Sequence, residues 1–202
     1  MTKKVTIIGA TGSIGRTVTE YLLENTDDEM VLFSRSANRI RIEDPSRETA
    51  VVGDVRNAAE LDAAIAGSDA VFAALSGDLA GMARDIVASM DRTGVARLIF
   101  ISSMGIYNEI PAWGADGNLE YNPMLSAYRK AADVIEASDL DYTVIRPGWF
   151  TSGPVDYEVT RKGEPFGGHD VSRKSIADLV MKLIADPALY AHDSVGINTP
   201  NS

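Results

Sequence analysis

The segment Gly9-Ala10-Thr11-Gly12-Ser13-Ile14-Gly15 constrains the fold more than any other stretch of the chain. It follows the compact apolar run Val5-Thr6-Ile7-Ile8 and precedes Ile14, Val18, Tyr21 and Leu22, which recur at helical spacing. A strand that enters a helix through a glycine-rich turn is the opening of a βα unit. Glycines at this turn let the chain reverse tightly and let a ligand approach the backbone. The helix that begins there presents free N–H groups and a positive dipole end, the arrangement that receives a phosphate. The spacing is GxxGxxG, a variant of the GxGxxG dinucleotide fingerprint. Gly9, Thr11, Gly12, Ser13, Ile14 and Gly15 are therefore the expected phosphate-side contacts of a nucleotide cofactor.

The same alternation continues downstream. Met30–Phe33, Thr49–Val52, Ala70–Leu75, Arg97–Ile101 and Tyr142–Ile145 read as further strands. Helical patterns run through Leu61 and Ile65, through Met82, Ile86, Val87 and Met90 to a closing Gly94, and from about Leu125 to Ala137. Strands this uniformly apolar are buried on both faces, as parallel strands between two helix layers are. The expected fold class is α/β, a doubly wound, mostly parallel sheet of Rossmann type with right-handed crossovers. Residues 1–202 read as one NAD(P)-binding domain. A C-terminal, substrate-side extension over about 151–202 carries a hairpin around Lys162-Gly163, a helix through Ile176 and Leu183, and a strand near Val195–Ile197. Gly105–Pro123, with Pro111, Trp113, Gly114 and Gly117, is a long loop after the fifth strand and a candidate functional loop.

The second strand ends in Ser34-Arg35-Ser36. A cofactor with a free ribose 2′-hydroxyl usually meets an acidic residue roughly 20 residues past the glycines. Arg35 stands here instead, with Arg39 one turn on, and an arginine pairs with a 2′-phosphate through charge-assisted hydrogen bonds. NADPH is thus the expected cofactor.

Composition excludes other chemistries. The chain has no cysteine, so it has no disulfide, thiolate metal site or cysteine nucleophile. Its two histidines, His169 and His192, cannot build a zinc site of several imidazoles, and no metal is expected. Asp and Glu number 29 against 19 Lys and Arg, a net charge of −10 that repels nucleic acid and anionic lipid. No apolar run approaches the ~20 residues of a membrane span, and the opening residues lack an apolar leader. The expectation is a cytoplasmic protein with a small-molecule partner.

With Gly53-Asp54-Val55, Ser102-Ser103 and Arg146-Pro147-Gly148 added to the glycine turn and Ser34-Arg35, the chain resembles the atypical short-chain dehydrogenases over essentially its whole length. The nearest subgroup is that of the NmrA-like and NAD(P)H-binding proteins, which includes flavin and biliverdin reductases of the IXβ type. The resemblance implies adenine-side contacts at Asp54 and Val55. It implies a segment along the adenine ribose and pyrophosphate at Leu75, Ser76 and Gly77, and contacts to the nicotinamide end at Ser102, Pro147, Gly148 and Trp149. It matches Ser103 to the family's catalytic serine and Lys130 to the lysine of Tyr-x-x-x-Lys, which holds the nicotinamide ribose. The chain departs from the pattern at the tyrosine. Ser126 stands four residues before Lys130, and Tyr128, two residues away, falls on another helix face.

Aromatic residues gather near the implied nicotinamide end: Tyr107, Trp113, Tyr121, Tyr128, Trp149, Phe150 and Phe166. They suit a flat, conjugated acceptor such as a flavin or quinone, whose reduction needs stacking more than a dedicated acid. His169 reads as structural. Three functions fit: an NADPH-dependent reductase, a non-catalytic dinucleotide sensor of NmrA type, and an epimerase or dehydratase of the sugar-nucleotide kind. The third is disfavoured by the short stretch after the sixth strand and by the missing tyrosine. NADPH is expected to bind more tightly than NADH. Arg35→Ala should cost about 1–3 kcal/mol of NADPH binding and leave NADH unchanged, as read by titration of both dinucleotides.

Overall fold

A computed structural model describes residues 2–202. Its central sheet contains eight strands: β1 (Lys4–Ile8), β2 (Glu29–Ser34), β3 (Glu48–Val52), β4 (Ala70–Ala73), β5 (Arg97–Ile101), β6 (Asp141–Pro147), β8 (Glu158–Arg161) and β10 (Asp193–Asn198). Their order is β3-β2-β1-β4-β5-β6-β10-β8, and every pairing is parallel except β8 against β10. Two short strands, β7 (Trp149–Thr151) and β9 (Asp170–Ser172), form a separate parallel ribbon.

Alternation along the strands divides the core between the two faces. Val5 and Ile7 of β1, Ala70 and Phe72 of β4, and Ile99 of β5 pack with Val18 and Leu22 of α1 (Ser13–Asn25) and Val180 and Leu183 of α5 (Arg173–Ala185). Ile8, Val71, Leu98 and Phe100 face the opposite way, onto Leu61 of α2 (Ala58–Ile65), Ile86 of α3 (Leu79–Thr93) and Ile135 of α4 (Ser126–Glu136). This is the expected doubly wound arrangement. The connections diverge to either side between β1 and β4, the switch point where open α/β sheets bind ligands. No helix among the described residues is long and apolar enough to cross a membrane.

Gly9 stands at that switch point with φ +86°. Its N–H donates to Phe33 O at 3.0 Å, and a Cβ would lie 2.1 Å from Ala74 O. The same turn explains why β4 is shorter than the expected Ala70–Leu75. Ala74 N still donates to Ile8 O at 3.0 Å, but beyond Gly9 the partner strand has turned away and Leu75 has nothing to pair with. α3 begins at Asp78, whose carboxylate accepts from Gly81 N at 3.1 Å, and stops at Gly94 with φ 72°, the expected closure.

The expected hairpin at Lys162-Gly163 does not form. The turn exists, with Gly163 at φ 92° and Glu164 N donating to Arg161 O at 3.1 Å. The chain then leaves β8 because Phe166 is buried beside Met104 and Ile110, its N–H donating to Glu109 O at 2.9 Å. β8 therefore pairs with β10, and β9 with β7.

Gly9→Ala should destabilise the protein by at least ~2 kcal/mol, combining left-handed strain with a backbone clash. Urea unfolding monitored by circular dichroism measures the loss.

Candidate functional site

A cleft of about 820 Å³ runs along the carboxyl ends of the strands. At its centre α1 starts without a side-chain cap and without an acidic residue in its first turn. Gly12 N donates within the turn to Gly9 O at 2.9 Å, and Arg16 N is the first amide of the helix to find a carbonyl, Gly12 O at 3.0 Å. The N–H groups of Ser13, Ile14 and Gly15 are left for a ligand, as at every uncapped helix start. The three glycines differ in what they do. Gly9 and Gly15 are packed against backbone, a Cβ on Gly15 falling 2.4 Å from Gly9 O. Gly12 has an ordinary φ of −74°, and a Cβ there would meet only Gly9 O, at 3.3 Å. Thr11 is tied to the β2 tip by its hydroxyl, 2.8 Å from Ser34 Oγ and 3.3 Å from Ser36 Oγ.

Ser34 and Arg35 line the cleft. Arg35 is exposed and makes no ion pair among the described residues. Arg39 ends the short 3₁₀ turn Ala37–Arg39, exposed and outside the lining, so the expected arginine pair is not assembled. Asp54, Val55, Leu75, Ser76 and Gly77 all line the cleft. Arg56, which the sequence reading did not single out, joins them. Its guanidinium lies 3.1 Å from Asp78 Oδ2 and 3.1 Å from Asp85 Oδ2, crossing Gly81, where a Cβ would sit 2.0 Å from it. Asp78 caps α3 and was not singled out from the sequence either, and nothing near Arg56 announced its distant partners.

The far end of the cleft is built from Ile101, Ser102, Tyr128 and Phe150. Three local choices there differ from expectation. Ser102, not Ser103, faces the cleft. Ser102 is 4% exposed with a hydroxyl that has no hydrogen-bond partner among the described residues, while the Ser103 hydroxyl donates to Met104 O at 3.1 Å. Tyr128 lines the cleft, whereas Lys130 is exposed and outside it. Tyr128, Ala131 and Ile135 fall at the spacing of one helix face, and Ala131 and Ile135 are fully buried, so Lys130 turns to solvent. The sequence held that signal in its apolar periodicity.

The third difference concerns Pro147, Gly148 and Trp149, none of which lines the cleft. Pro147 and Gly148 are buried, and a Cβ on Gly148 would lie 2.5 Å from His169 O. Neighbours on a strand face opposite ways. In β7, Phe150 takes the cleft while Trp149 stacks on His169 at 6.2 Å between ring centroids. Trp113 meets the same imidazole edge-on at 6.5 Å, and His169 Nδ1 is 2.6 Å from Asp170 Oδ1. His192 is exposed beside Asp141, 3.2 Å away. Of the seven aromatics read as a cluster, only Tyr128 and Phe150 reach the cleft.

The loop that carries Ser102 away from β5 is anchored by a buried ion pair between Arg146 of β6 and Glu109. Glu109 also accepts from Gly105 N at 3.0 Å and Tyr107 N at 2.9 Å, and Arg146 Nε donates to Ser194 Oγ at 3.1 Å. Tyr107 donates to Glu136, and burial together with that carboxylate pushes its phenol well above the ordinary range. Asn118 closes the loop by accepting from Ile110 N at 2.9 Å and donating to Ile110 O at 2.8 Å.

Comparison with known proteins gives the family and the fold. The profile of the NAD(P)H-binding family matches residues 9–187, and the chain belongs to that family. A Rossmann-fold NAD(P)-binding protein of Shigella flexneri is 38% identical and superposes with a TM-score of 0.86, covering 100% of this chain and 96% of that one. A Veillonella parvula short-chain dehydrogenase/reductase, solved in complex with NADP, is 29% identical with a TM-score of 0.91 and the same coverage. The Bacillus subtilis protein YhfK, described as an uncharacterized sugar epimerase, is 26% identical over 190 residues, 88% of this chain and 86% of that protein. ChuY, an anaerobillin reductase of Escherichia coli, shares the fold at 19% identity and a TM-score of 0.82, covering 98% of each chain.

Gly12→Val tests the turn at small structural cost, since its Cβ would meet only Gly9 O, at 3.3 Å. The backbone there is extended and the side chain would enter the cleft. Thermal unfolding should stay within a few degrees of the native protein, while NADPH and NADH affinity both fall by about tenfold or more. Normal binding by this variant would place the phosphates elsewhere.

Proposed function

We propose that this protein is a cytoplasmic NADPH-dependent reductase that passes hydride to a flat, conjugated small molecule of flavin or quinone type. The observation that carries the reading is the cleft itself. It runs from Arg35, an arginine without an acidic partner among the described residues, past the uncapped start of α1, to an end lined by Tyr128, Phe150 and Ser102, whose buried hydroxyl has no hydrogen-bond partner among the described residues. In this reading the N–H groups of Ser13, Ile14 and Gly15 hold the pyrophosphate. Arg35, with Ser34, takes the 2′-phosphate. Asp54 accepts from the adenine amino group, Val55 covers the ring, and Leu75, Ser76 and Gly77 line the ribose. Bound NADPH supplies the hydride. Ser102 hydrogen-bonds at the nicotinamide end, and Tyr128 and Phe150 flank the acceptor ring and exclude water from it. Residues 1–202 act as one dinucleotide-binding domain, with about 151–202 supplying the acceptor side. The strongly acidic surface suits neither nucleic acid nor an anionic membrane as partner.

Proton delivery is left to solvent. Lys130 is exposed and does not line the cleft, so it does not stand beside the bound acceptor. A flavin or quinone needs no dedicated acid, because its reduced form is protonated by water. The description of YhfK favours a second reading, an epimerase that returns its hydride to the same substrate.

Purified protein should accelerate NADPH oxidation by flavins and naphthoquinones, followed by the loss of nicotinamide absorbance. Tyr128→Phe should keep kcat within about threefold, whereas a general acid is typically worth about 10²–10⁴-fold. NADPH binding without net oxidation by any acceptor would favour the sensor reading. Interconversion of a sugar nucleotide without net consumption would favour the epimerase.

A further inference from the structure

Arg56 lies in the segment that leaves β3, and its side chain reaches the start of α3, with Nη1 3.1 Å from Asp78 Oδ2 and Nε 3.1 Å from Asp85 Oδ2. Asp78 serves two partners, since its other oxygen accepts from Gly81 N at 3.1 Å. Asp85 Oδ2 is buried without a hydrogen-bond partner among the described residues, so the Arg56 charge is what compensates it. The main chain of Arg56 is engaged as well, its N–H donating to Asp54 Oδ1 at 3.0 Å. These contacts join the Asp54-Val55 wall of the cleft to the Gly77-Asp78 wall. The sheet does not join them, because β2 and β1 stand between β3 and β4. At ordinary strand spacing that gap is about 14 Å. Arg56 also lines a notch of about 60 Å³ together with Ala58 of α2 and Asp85, Ala88 and Arg92 of α3, so its side chain stands between the notch and the cleft. Two carboxylates face this one guanidinium, which leaves it no spare positive charge for a phosphate. Arg35, with no ion pair among the described residues, keeps that charge.

We propose that Arg56 is a positioning residue for the adenine half of the cofactor. By bridging to Asp78 and Asp85 it sets the width of that end of the cleft and closes it toward α2 and α3. Asp54 and Val55 are then held opposite Leu75, Ser76 and Gly77 before the ring arrives, which lowers the ordering cost of binding. The proposal rests on the reading that places adenine against Asp54 and Val55. Arg56 acts alike on every adenine dinucleotide, whereas Arg35 separates NADPH from NADH. The fold does not depend on the bridge. The far end of the α2–α3 pair is fastened separately, by Arg92 donating to both oxygens of Asp62 at 2.8 and 2.7 Å. Loss of Arg56 loosens the pair only where it borders the cleft.

Titration of NADPH, NADH and 2′,5′-ADP into the native protein, Arg56→Ala, Arg56→Lys and Arg92→Ala tests the bridge. Arg56→Ala should weaken all three ligands by one common factor of about fivefold or more. Arg56→Lys, which keeps the charge but reaches only one carboxylate, should recover part of that loss. Arg92→Ala breaks the bidentate ion pair between the same two helices. It should lower the unfolding temperature at least as much as Arg56→Ala does, yet keep every affinity within about twofold. A loss on NADPH and 2′,5′-ADP that spares NADH would make Arg56 a phosphate ligand and overturn the proposal. An equal loss of affinity in Arg92→Ala would overturn it too, by reducing the effect to helix packing. If Arg56→Ala binds all three ligands as the native protein does, the bridge is refuted and the adenine placement stands. If the loss falls on NADPH and NADH but spares 2′,5′-ADP, the adenine lies elsewhere, and that reading falls with the proposal.

Discussion

The close approach of Gly9 to the Ala74 carbonyl is the contact on which the ligand-facing edge depends. It holds the ends of β1 and β4 together where the sheet connections diverge, and the Gly9 amide draws in the β2 end through Phe33 O. No side chain fits in that space, so the turn keeps its shape only while residue 9 is glycine. Gly15 extends the constraint by letting α1 start against the Gly9 carbonyl. The unpaired amides of α1 are thereby aimed across the strand ends instead of into the core. Arg35 is placed by the same arrangement, through the hydroxyl contacts that join Thr11 to the β2 tip.

A second constraint sets the other end of the cleft. The Arg146–Glu109 pair is buried, and breaking such a pair typically costs about 3–5 kcal/mol because the remaining charge is left uncompensated. Glu109 spends its remaining acceptor capacity on the amides of Gly105 and Tyr107, and Arg146 binds β10 through Ser194. The loop after β5 is thus fastened to β6 and β10. Ser102 lies immediately before the fastened segment, which keeps it buried at the cleft end with its hydroxyl free. The arginine of Arg146-Pro147-Gly148 has a structural task, Gly148 packs against the β9 segment, and neither Pro147 nor Gly148 lines the cleft.

Much of this was legible in the sequence, for identifiable reasons. Strands with apolar residues on both faces, such as Val5–Ile8 and Arg97–Ile101, have few environments other than a parallel sheet between helices. The glycine turn and Arg35 carry their meaning in local chemistry, and both lie on the cleft. The expected residues that do not line the cleft fall where a shift of one or two residues decides which side chain faces it: Ser103 beside Ser102, Lys130 beside Tyr128, Trp149 beside Phe150. In each case tertiary packing selects the face. For Tyr128 the buried partners Ala131 and Ile135 already marked the correct one. The pairing of β8 with β10 follows from the burial of Phe166 beside Met104 and Ile110, contacts too distant in sequence for local turn chemistry to reveal.

In the proposed reading one dinucleotide lies along this cleft with its nicotinamide at Ser102 and the acceptor against Tyr128 and Phe150. A crystal structure of the protein with NADPH tests it most directly. The pyrophosphate oxygens should lie within about 3 Å of the Ser13 and Ile14 amides, the 2′-phosphate on Arg35, and the nicotinamide ring beside Ser102, with the space against Tyr128 and Phe150 left to the acceptor. A dinucleotide bound in the reverse direction, or a nicotinamide lying away from Ser102, would contradict it.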